Sequence, residues 1–238
     1  SPFGRQRVSP ISRHQNFLYR PDNSVLFLPG LPGSGSTITD FSGNGNNGTI
    51  TGATWTRLPT GLWCLNNGGT NQVTTVPDSG GILAPSTLTI EIWVFFTGLG
   101  LPEPQNNPCL MGKKNTTYDQ ANGWYFGIDD TSLILAFRGS SATVASSSPI
   151  GMVTGIWYHF VAVVSGTTVS FYSNGIAKGS GTITAITNNT DSLRIGEGSN
   201  DFPSWLNAKW VLARIYNVVF TATQVAGHFN QAKHLLGI

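Results

Sequence analysis

The stretch TLTIEIWVFFT, residues 87–97, decides the fold of this chain. Apolar side chains alternate along it with polar or aromatic ones, in the order Leu88, Thr89, Ile90, Glu91, Ile92, Trp93 and Val94. A period of two residues is typical of a β-strand with one buried face. Most of these residue types also favour the pleated backbone of a strand. The stretch is therefore the strongest β-strand that the sequence predicts.

The composition extends this prediction to the whole chain. Only 10% of the 238 residues are charged, against about 25% in ordinary globular domains. Glycine contributes 29 residues, while 39% of the chain is hydrophobic and 11% aromatic. This profile is typical of short strands joined by tight turns around a real core, and it excludes a disordered chain. All-β sandwiches of this length fold as one domain.

Further strands follow from residue 25 onwards, around a Gly, Ser and Asn loop over residues 33–48. Ser165-Gly166 and Asn174-Gly175 mark tight hairpin turns. Strands at this spacing predict two antiparallel sheets packed face to face. Besides 87–97, the predicted strands cover residues 25–29, 62–65, 72–76, 109–112, 124–128, 133–137, 157–164, 167–173, 176–178, 193–196 and 209–218.

One short helix is predicted near the C-terminal end, over residues 221–235. Thr221 or Thr223 can cap its N-terminus. Val225, Phe229 and Ala232 fall on one face of it. We expect this face to close one edge or end of the sandwich.

Residues 1–22 show neither a strand nor a helix period and are predicted as an extended basic arm ahead of a domain over residues 23–238. The arm carries four of the thirteen Lys and Arg residues and no acid before residue 21. Arginine and aromatic residues are enriched at protein interfaces, so we expect protein neighbours rather than nucleic acid as partners. The residues predicted to dock the arm are Phe3, Arg5, Arg7, Arg13, Phe17, Tyr19 and Arg20.

Two further features limit the class of protein. No run of 18 apolar residues occurs, so no membrane insertion is predicted. Cys64 and Cys109 are the two cysteines. They are compatible with one disulfide or with two buried free thiols, and the sequence leaves both open.

Seven segments in a fixed order carry a family resemblance. They are GSGSTITDFSGNGNNGTITGATW (33–55), VPDSG (76–80), TLTIEIWVFF (87–96), GWYFGI (123–128), WYHFVAVVSGTTVSFYSNG (157–175), LRIGEGSN (193–200) and ARIYNVVFTATQV (213–225). Over residues 23–228 the chain resembles the laminin-G-like, concanavalin-A-like jelly-roll domains. The resemblance implies an all-β fold, a two-sheet antiparallel jelly-roll sandwich with one short C-terminal helix.

The resemblance also raises the question of calcium. Such domains often carry an aspartate just before the Arg-Ile-Tyr segment and another in a Phe-Asp-Gly after the third strand. Residues 209–213 and 64–68 contain no acid here, and Asp40 alone remains. Calcium takes six to eight oxygen ligands. Asp40 is therefore predicted to cap its Gly-rich turn, and no metal or other cofactor is expected.

The carboxylates do not form a catalytic pattern. Glycosidases need two carboxylates roughly 5–10 Å apart, whereas Glu91, Glu103 and Glu197 are isolated in sequence. Glu91 is interpreted as a sheet-face residue. The four histidines lack zinc-ligand spacing, and His159 matches a structural position of the family. The protein is therefore predicted not to be an enzyme, and a glycoside hydrolase built on Glu91 is the third alternative.

A sugar site needs an exposed aromatic face beside amide and carboxylate groups. Two predicted loops, residues 200–205 and 115–123, have this mixture. The other interpretation is that Phe202 and Trp205 pack on the rim of the sandwich. The carbohydrate-binding candidates are Trp205, Phe202, Asp201, Asn200, Tyr118 and Asn122.

Residues 3–9 of the arm resemble the opening of some structural proteins of tailed bacteriophages. The preferred hypothesis is a non-catalytic, lectin-like structural protein on a phage-type virion surface, a capsid decoration or tail-associated protein. The arm would anchor it in an oligomeric assembly with capsid or tail proteins, while the jelly roll binds host glycans. The alternative is a free carbohydrate-binding module, either secreted or cut from a larger enzyme, with a Cys64–Cys109 bond.

Overall fold

The computed structural model describes residues 23–78, 80–99, 107–114, 122–129, 133–141, 143–199 and 202–238, apart from the side chains of residues 114, 198–199 and 202–204. Within these residues the chain is mostly β, as predicted. The strands are β1 Ser24–Leu28, β2 Thr37–Ile38, β3 Gly48–Thr51, β4 Thr54–Arg57, β5 Trp63–Gly68, β6 Val73–Val76, β7 Thr87–Phe96, β8 Cys109–Lys114, β9 Gly123–Asp129, β10 Ile134–Arg138, β11 Val144–Ser146, β12 Trp157–Ser165, β13 Thr168–Ser173, β14 Ile176–Thr182, β15 Leu193–Ile195, β16 Glu197–Ser199, β17 Phe202–Trp205 and β18 Asn207–Tyr216.

The strands form two eight-stranded antiparallel sheets and one hairpin. Sheet A has the order β14-β13-β12-β7-β18-β5-β4, with β1 also paired to β18. Sheet B has the order β11-β10-β9-β8-β15-β6-β3-β2, and β16 pairs with β17 alone. This arrangement confirms the predicted two-sheet jelly-roll sandwich.

Strand β7 contains the alternating stretch that opened the sequence and lies between β12 and β18 in the middle of sheet A. Its side chains Ile90 and Ile92 point between the sheets and are buried there. Trp124 and Phe126 of β9 meet them from sheet B. Burying each such side chain stabilises the fold by about 1.5–3 kcal/mol, so the alternation directly builds the core.

The helix α1 spans Ala222–Ala232 and continues as a 3₁₀ turn over Lys233–Leu236. Thr221 caps it, and its hydroxyl accepts the backbone N–H of Gln224 at 3.2 Å while the Gln224 side chain accepts the N–H of Thr221 at 2.8 Å. The predicted helix is thus present. Among the described residues no helix is long and apolar enough to cross a bilayer.

The expected position of the helix was wrong, because it lies on the outer face of sheet A and not at an edge or end of the sandwich. The reason is a second apolar surface on that face, which the alternation of β7 hides. Phe229 stacks on Trp93 with ring centroids 5.5 Å apart, and Ala232 and Leu236 are buried in the same cluster.

Several short strands were not predicted. The loop expected over residues 33–48 contains β2, and β17 occupies residues 202–205, which were expected to be a loop. Each of these strands has four residues or fewer, so too few positions exist for an alternating pattern to be seen. Pro203 also argues against a strand, but it is tolerated because β17 pairs on one side only.

Candidate functional site

The central strands of sheet A are covered on their outer face. Helix α1 and the following 3₁₀ turn cover it, and the apolar side chains beneath them are buried. The buried members of these two clusters are Phe27, Cys64, Trp93, Trp157, Val211, Leu212, Ala232 and Leu236, and Val161, Val163, Tyr172, Tyr216, Phe220 and Val225.

A charged network lies beneath the helix. The Glu91 side chain on β7 is 1% exposed, and its Oε1 accepts from Arg214 at 2.5 Å and from the Tyr216 hydroxyl at 3.2 Å. Its Oε2 lies 3.3 Å from His159 Nε2 and 3.0 Å from His228 Nδ1. One carboxylate therefore ties together β7, β12, β18 and α1.

The surroundings fix the protonation states in this network. Burial alone would raise the pKa of Glu91, but Arg214 and the hydrogen bonds from His159 and His228 outweigh it and hold the pKa well below 4.5. Burial lowers the pKa of His159 and outweighs the opposing effect of Glu91. The neutral ring then donates from Nε2 to Glu91, while Nδ1 is buried and has no hydrogen-bond partner in the part of the chain that the structure describes.

Glu91 therefore has a structural role as an ionised carboxylate. It is ionised, sealed by α1 and saturated by four donors, so it has neither access to a substrate nor a proton to give at neutral pH. The hydrolase alternative that relied on Glu91 does not fit this geometry.

Asp40 binds its own loop. Oδ1 accepts the backbone N–H groups of Phe27 at 3.0 Å and Ser42 at 2.8 Å. Oδ2 accepts the Ser42 hydroxyl at 2.8 Å and the Asn46 N–H at 2.9 Å. These four donors use both oxygens, as expected for a turn cap, and no oxygen-rich cradle for calcium is left there. The family's calcium position does not fit in this chain.

The two cysteines are free and buried. Cys64 lies on β5 of sheet A and Cys109 on β8 of sheet B. Burial raises the pKa of Cys64 to about 11 and raises that of Cys109 as well. Both are inert thiols, and the disulfide expected of a secreted module is not formed.

The outer face of sheet B, here called the B face, is polar, and neither of the helical elements in the described ranges covers it. Its side chains alternate with core residues along each strand, so residues of different strands meet in rows. One row consists, across the strands, of Arg138, Tyr125, Gly112, Arg194, Thr75, Thr49 and Thr37.

Tyr125 forms the floor of this row. It is 6% exposed, and its hydroxyl donates to the Asn107 carbonyl at 2.6 Å. Its ring lies over Gly127, where a Cβ atom would come within 2.2 Å of the tyrosine oxygen. A glycine is therefore required at that position for the ring to lie flat on the sheet.

Beside this floor, Arg194, Glu197 and Trp205 form what we call the shelf. Arg194 Nη2 lies 2.9 Å from Glu197 Oε1. Trp205 pairs with Glu197 across the β16–β17 hairpin, and directly opposed residues share one face of a hairpin. Trp205 is half-buried, and its Nε1 and the Nε of Arg194 have no hydrogen-bond partner among the described residues.

The shelf has the chemistry of a sugar site. It joins a half-buried indole ring and an Arg–Glu pair able to bind vicinal hydroxyls. The hydroxyl of Thr75 lies in the adjacent position of the row. Sequence reasoning found Trp205 but missed Arg194 and Glu197. The available signal was Leu193-Arg194-Ile195, in which an arginine between two core residues must point outward.

The structure describes one candidate side chain from each of the two predicted sugar loops, Trp205 and Asn122. On the shelf, Arg194 pairs with Gly112 of β8, and the Gly196 N–H donates to the Leu110 carbonyl, so Glu197 follows near the start of that strand. Asn122 is exposed with a left-handed φ of 90°, and Gly123 after it pairs with the last residue of β8. Asn122 thus lies at the opposite end of β8 from Glu197.

The structure does not describe the side chains of the other predicted site residues. Phe202 lies in β17, but its side chain is not described. Asn200, Asp201 and Tyr118 lie outside the described residues, as do all seven arm residues from Phe3 to Arg20. The docking of the arm therefore stays a prediction.

Comparison with known proteins agrees with this fold. A family model described as the concanavalin A-like lectin/glucanases superfamily matches residues 67–226. The chain therefore belongs to that superfamily, as its sequence resemblance predicted. No curated protein matches the chain.

Three solved structures illustrate the likeness. Domain 4 of AbnA, an extracellular arabinanase of Geobacillus stearothermophilus solved with arabinotriose, is 21% identical over 87% of this chain and 98% of its own, with a TM-score of 0.65. The binding domain of Paraclostridial Mosquitocidal Protein 1 is 19% identical over 88% of this chain and 52% of its own, with a TM-score of 0.66. The receptor binding domain of botulinum neurotoxin C/D mosaic serotype is 11% identical over 88% and 51%, with a TM-score of 0.65. This chain thus spans about half of each toxin domain, and at these identities the likeness concerns the fold alone.

Proposed function

We propose that the protein is a non-catalytic glycan-binding domain that binds sugar on the shelf of the B face. The observation that carries the proposal is that Trp205 lies opposite Glu197 on the β16–β17 hairpin, while Glu197 pairs with Arg194. The Arg194 Nη2 and Glu197 Oε1 atoms are 2.9 Å apart. An aromatic face beside paired hydrogen-bonding groups is the usual composition of a sugar site. A similar fold that was solved with arabinotriose supports the choice of ligand class.

The proposed absence of catalysis follows from the carboxylates. Glu91 is sealed beneath α1, and Glu197 is the one acid that the described part of the shelf contains. Hydrolysis of a glycosidic bond needs a second carboxylate close by. Incubation with a polysaccharide panel is expected to release no reducing ends, and release that is lost in Glu197→Gln would overturn this point.

Binding is tested with a glycan array followed by calorimetry on the best glycan. We expect Trp205→Ala and Arg194→Gln each to weaken the affinity at least tenfold, or about 1.4 kcal/mol. Trp63→Ala serves as the matched control, since Trp63 is a half-buried tryptophan of sheet A. Equal affinity in all four proteins would place the sugar elsewhere, and an array without any bound glycan would contradict the proposal itself.

The assembly role is a separate proposal that rests on the sequence of residues 1–22 alone. Arg5 and Arg7 with Phe3 would anchor the domain to protein neighbours of a phage-type virion. Native mass measurement with and without residues 1–20 tests this. Loss of an oligomer on deletion is the expected result, and a monomer near 25.4 kDa for the full chain would argue against it.

A further inference from the structure

A buried lysine holds two loops together at one end of the sandwich. Lys113 on β8 is 0% exposed, and its ammonium points inward, on the core side of the sheet with Trp124. Four oxygen atoms surround it. They are Asp78 Oδ2 at 3.0 Å, Asn188 Oδ1 at 3.1 Å, the Asn189 carbonyl at 2.5 Å and Asn189 Oδ1 at 2.7 Å.

This oxygen set is that of a hard cation. One carboxylate, two side-chain amide oxygens and one backbone carbonyl are the ligand types that calcium takes in proteins. An ammonium has three protons, one fewer than the oxygens that lie within 3.1 Å of it here. The ammonium donates hydrogen bonds to the three asparagine oxygens, and Asp78 Oδ2 adds a fourth oxygen through charge alone. The two loops thus present one oxygen more than the three protons of an ammonium can bind.

A second carboxylate lies within the same loop. The Asp191 N–H donates to Asn189 Oδ1 at 3.1 Å, and Asp191 Oδ2 is buried with no hydrogen-bond partner among the described residues. A second carboxylate in the loop that supplies the Asn189 oxygens adds negative charge of the kind that divalent cations prefer.

The oxygens are held in place independently of the lysine. Asp78 Oδ1 accepts the backbone N–H of Ile82 at 2.9 Å. The Asn188 Nδ2 donates to the Gly81 carbonyl at 2.7 Å, and Asn189 N donates to Asn188 Oδ1 at 2.8 Å. The two loops thus keep the oxygens near their positions when the side chain of Lys113 is shortened.

We propose that these oxygens form a cation site of the domain that the Lys113 ammonium fills from within the chain. The native protein therefore needs no metal to hold the two loops. A divalent cation of the calcium type takes the same place when the ammonium and its stem are removed. This inference is independent of the glycan-binding proposal.

Thermal unfolding of the whole chain in EDTA and in calcium chloride tests this site. The wild-type Tm is expected to be equal in both. Lys113→Ala is expected to have a lower Tm in EDTA and to recover about 5–10 °C at calcium concentrations near 100 times its Kd. Lys113→Met is expected to have a lower Tm that calcium does not restore. The methionine side chain fills the space of the lysine stem, and its thioether is not a calcium ligand.

The control is Lys178→Ala on the edge strand β14, which should show no calcium response. If Lys113→Ala folds only when purified with calcium, the proposal is supported. It is overturned if calcium raises the wild-type Tm, if Lys113→Ala shows no calcium response, or if it is insoluble with and without calcium.

Discussion

Replacing Arg214 by methionine is expected to lower the free energy of unfolding by about 3–5 kcal/mol, the usual cost of removing one partner from a buried ion pair. The Glu91 carboxylate would stay beneath α1 with Tyr216 and two histidines, none of which carries the fixed charge of arginine. At about 2–4 °C per kcal/mol for a domain of this size, Tm should fall by roughly 10 °C. Urea unfolding and calorimetry measure both quantities.

The chain supplies a matched control in a second Arg–Glu pair. Arg194 lies 2.9 Å from Glu197, but its side chain is 20% exposed. Solvent reaches this pair more than the Glu91 pair, whose side chains are 3% and 1% exposed, so Arg194→Met should cost clearly less stability than Arg214→Met. Similar losses in the two variants would mean that the Glu91 network does not hold the helix on sheet A.

The double variant Glu91→Gln with Arg214→Met separates charge from packing. It removes the unpaired carboxylate, so it is expected to be more stable than Arg214→Met alone. A double variant that is less stable than the single one would show that the loss comes from packing of the arginine stem on Phe27, whose ring lies 4.2 Å from the guanidinium.

The second large effect is a loss of stability in acid. The pKa of His159 is lowered from 6.5 in the folded protein, so below pH 6.5 the unfolded chain binds a proton that the folded one does not. Stability therefore falls as the pH falls, by up to about 1.4 kcal/mol per pH unit for this one proton. The pKa of Glu91 is lowered from 4.5, so its stabilisation is present above pH 4.5 and is lost as the pH drops further.

At alkaline pH the free energy of unfolding is expected to fall as the pH rises. Burial raises the pKa of Tyr216 well above 10 and that of Cys64 from 9.0 to about 11. Their stabilising effect is present below pH 9–10 and is lost as the pH rises. The free energy of unfolding should thus be highest between about pH 7 and pH 9, as measured by urea unfolding across the pH range.

His159→Gln identifies the group responsible near neutrality. The amide does not titrate, so the slope of stability against pH just below 6.5 should become smaller, by at most one proton equivalent, whatever the overall stability of the variant. An unaltered slope in His159→Gln would contradict the proton assignment.

The sequence predicted the sandwich well because its long strands carry complete patterns. The side chains of the ten residues of β7 point in turn to the core and to the outer face of sheet A. The Asn174-Gly175 turn joins β13 to β14 as expected. The packing of α1 on the outer face of sheet A could not be predicted from the same pattern. Trp93 and Glu91 lie on the side of β7 that an alternating pattern assigns to solvent, and only the position of α1 makes that side a second interior.

The candidate site was predicted in part for a related reason. Trp205 was found because an aromatic residue stood out in a polar stretch. Its neighbours Arg194 and Glu197 reach it through pairing of β15, β16 and β17, and pairing between distant strands leaves no mark in a single sequence. The Lys113 site was missed for the same reason, since Asn188 lies 75 residues away.

The Glu91 network also determines the order in which the chain can fold. Glu91 receives its partners from 68 residues later at His159, 123 later at Arg214 and 137 later at His228. During synthesis, β7 leaves the ribosome well before the Arg214 guanidinium exists to neutralise its carboxylate. Such contacts between distant residues slow folding, and the Glu91 carboxylate has all four partners only when α1 has been made.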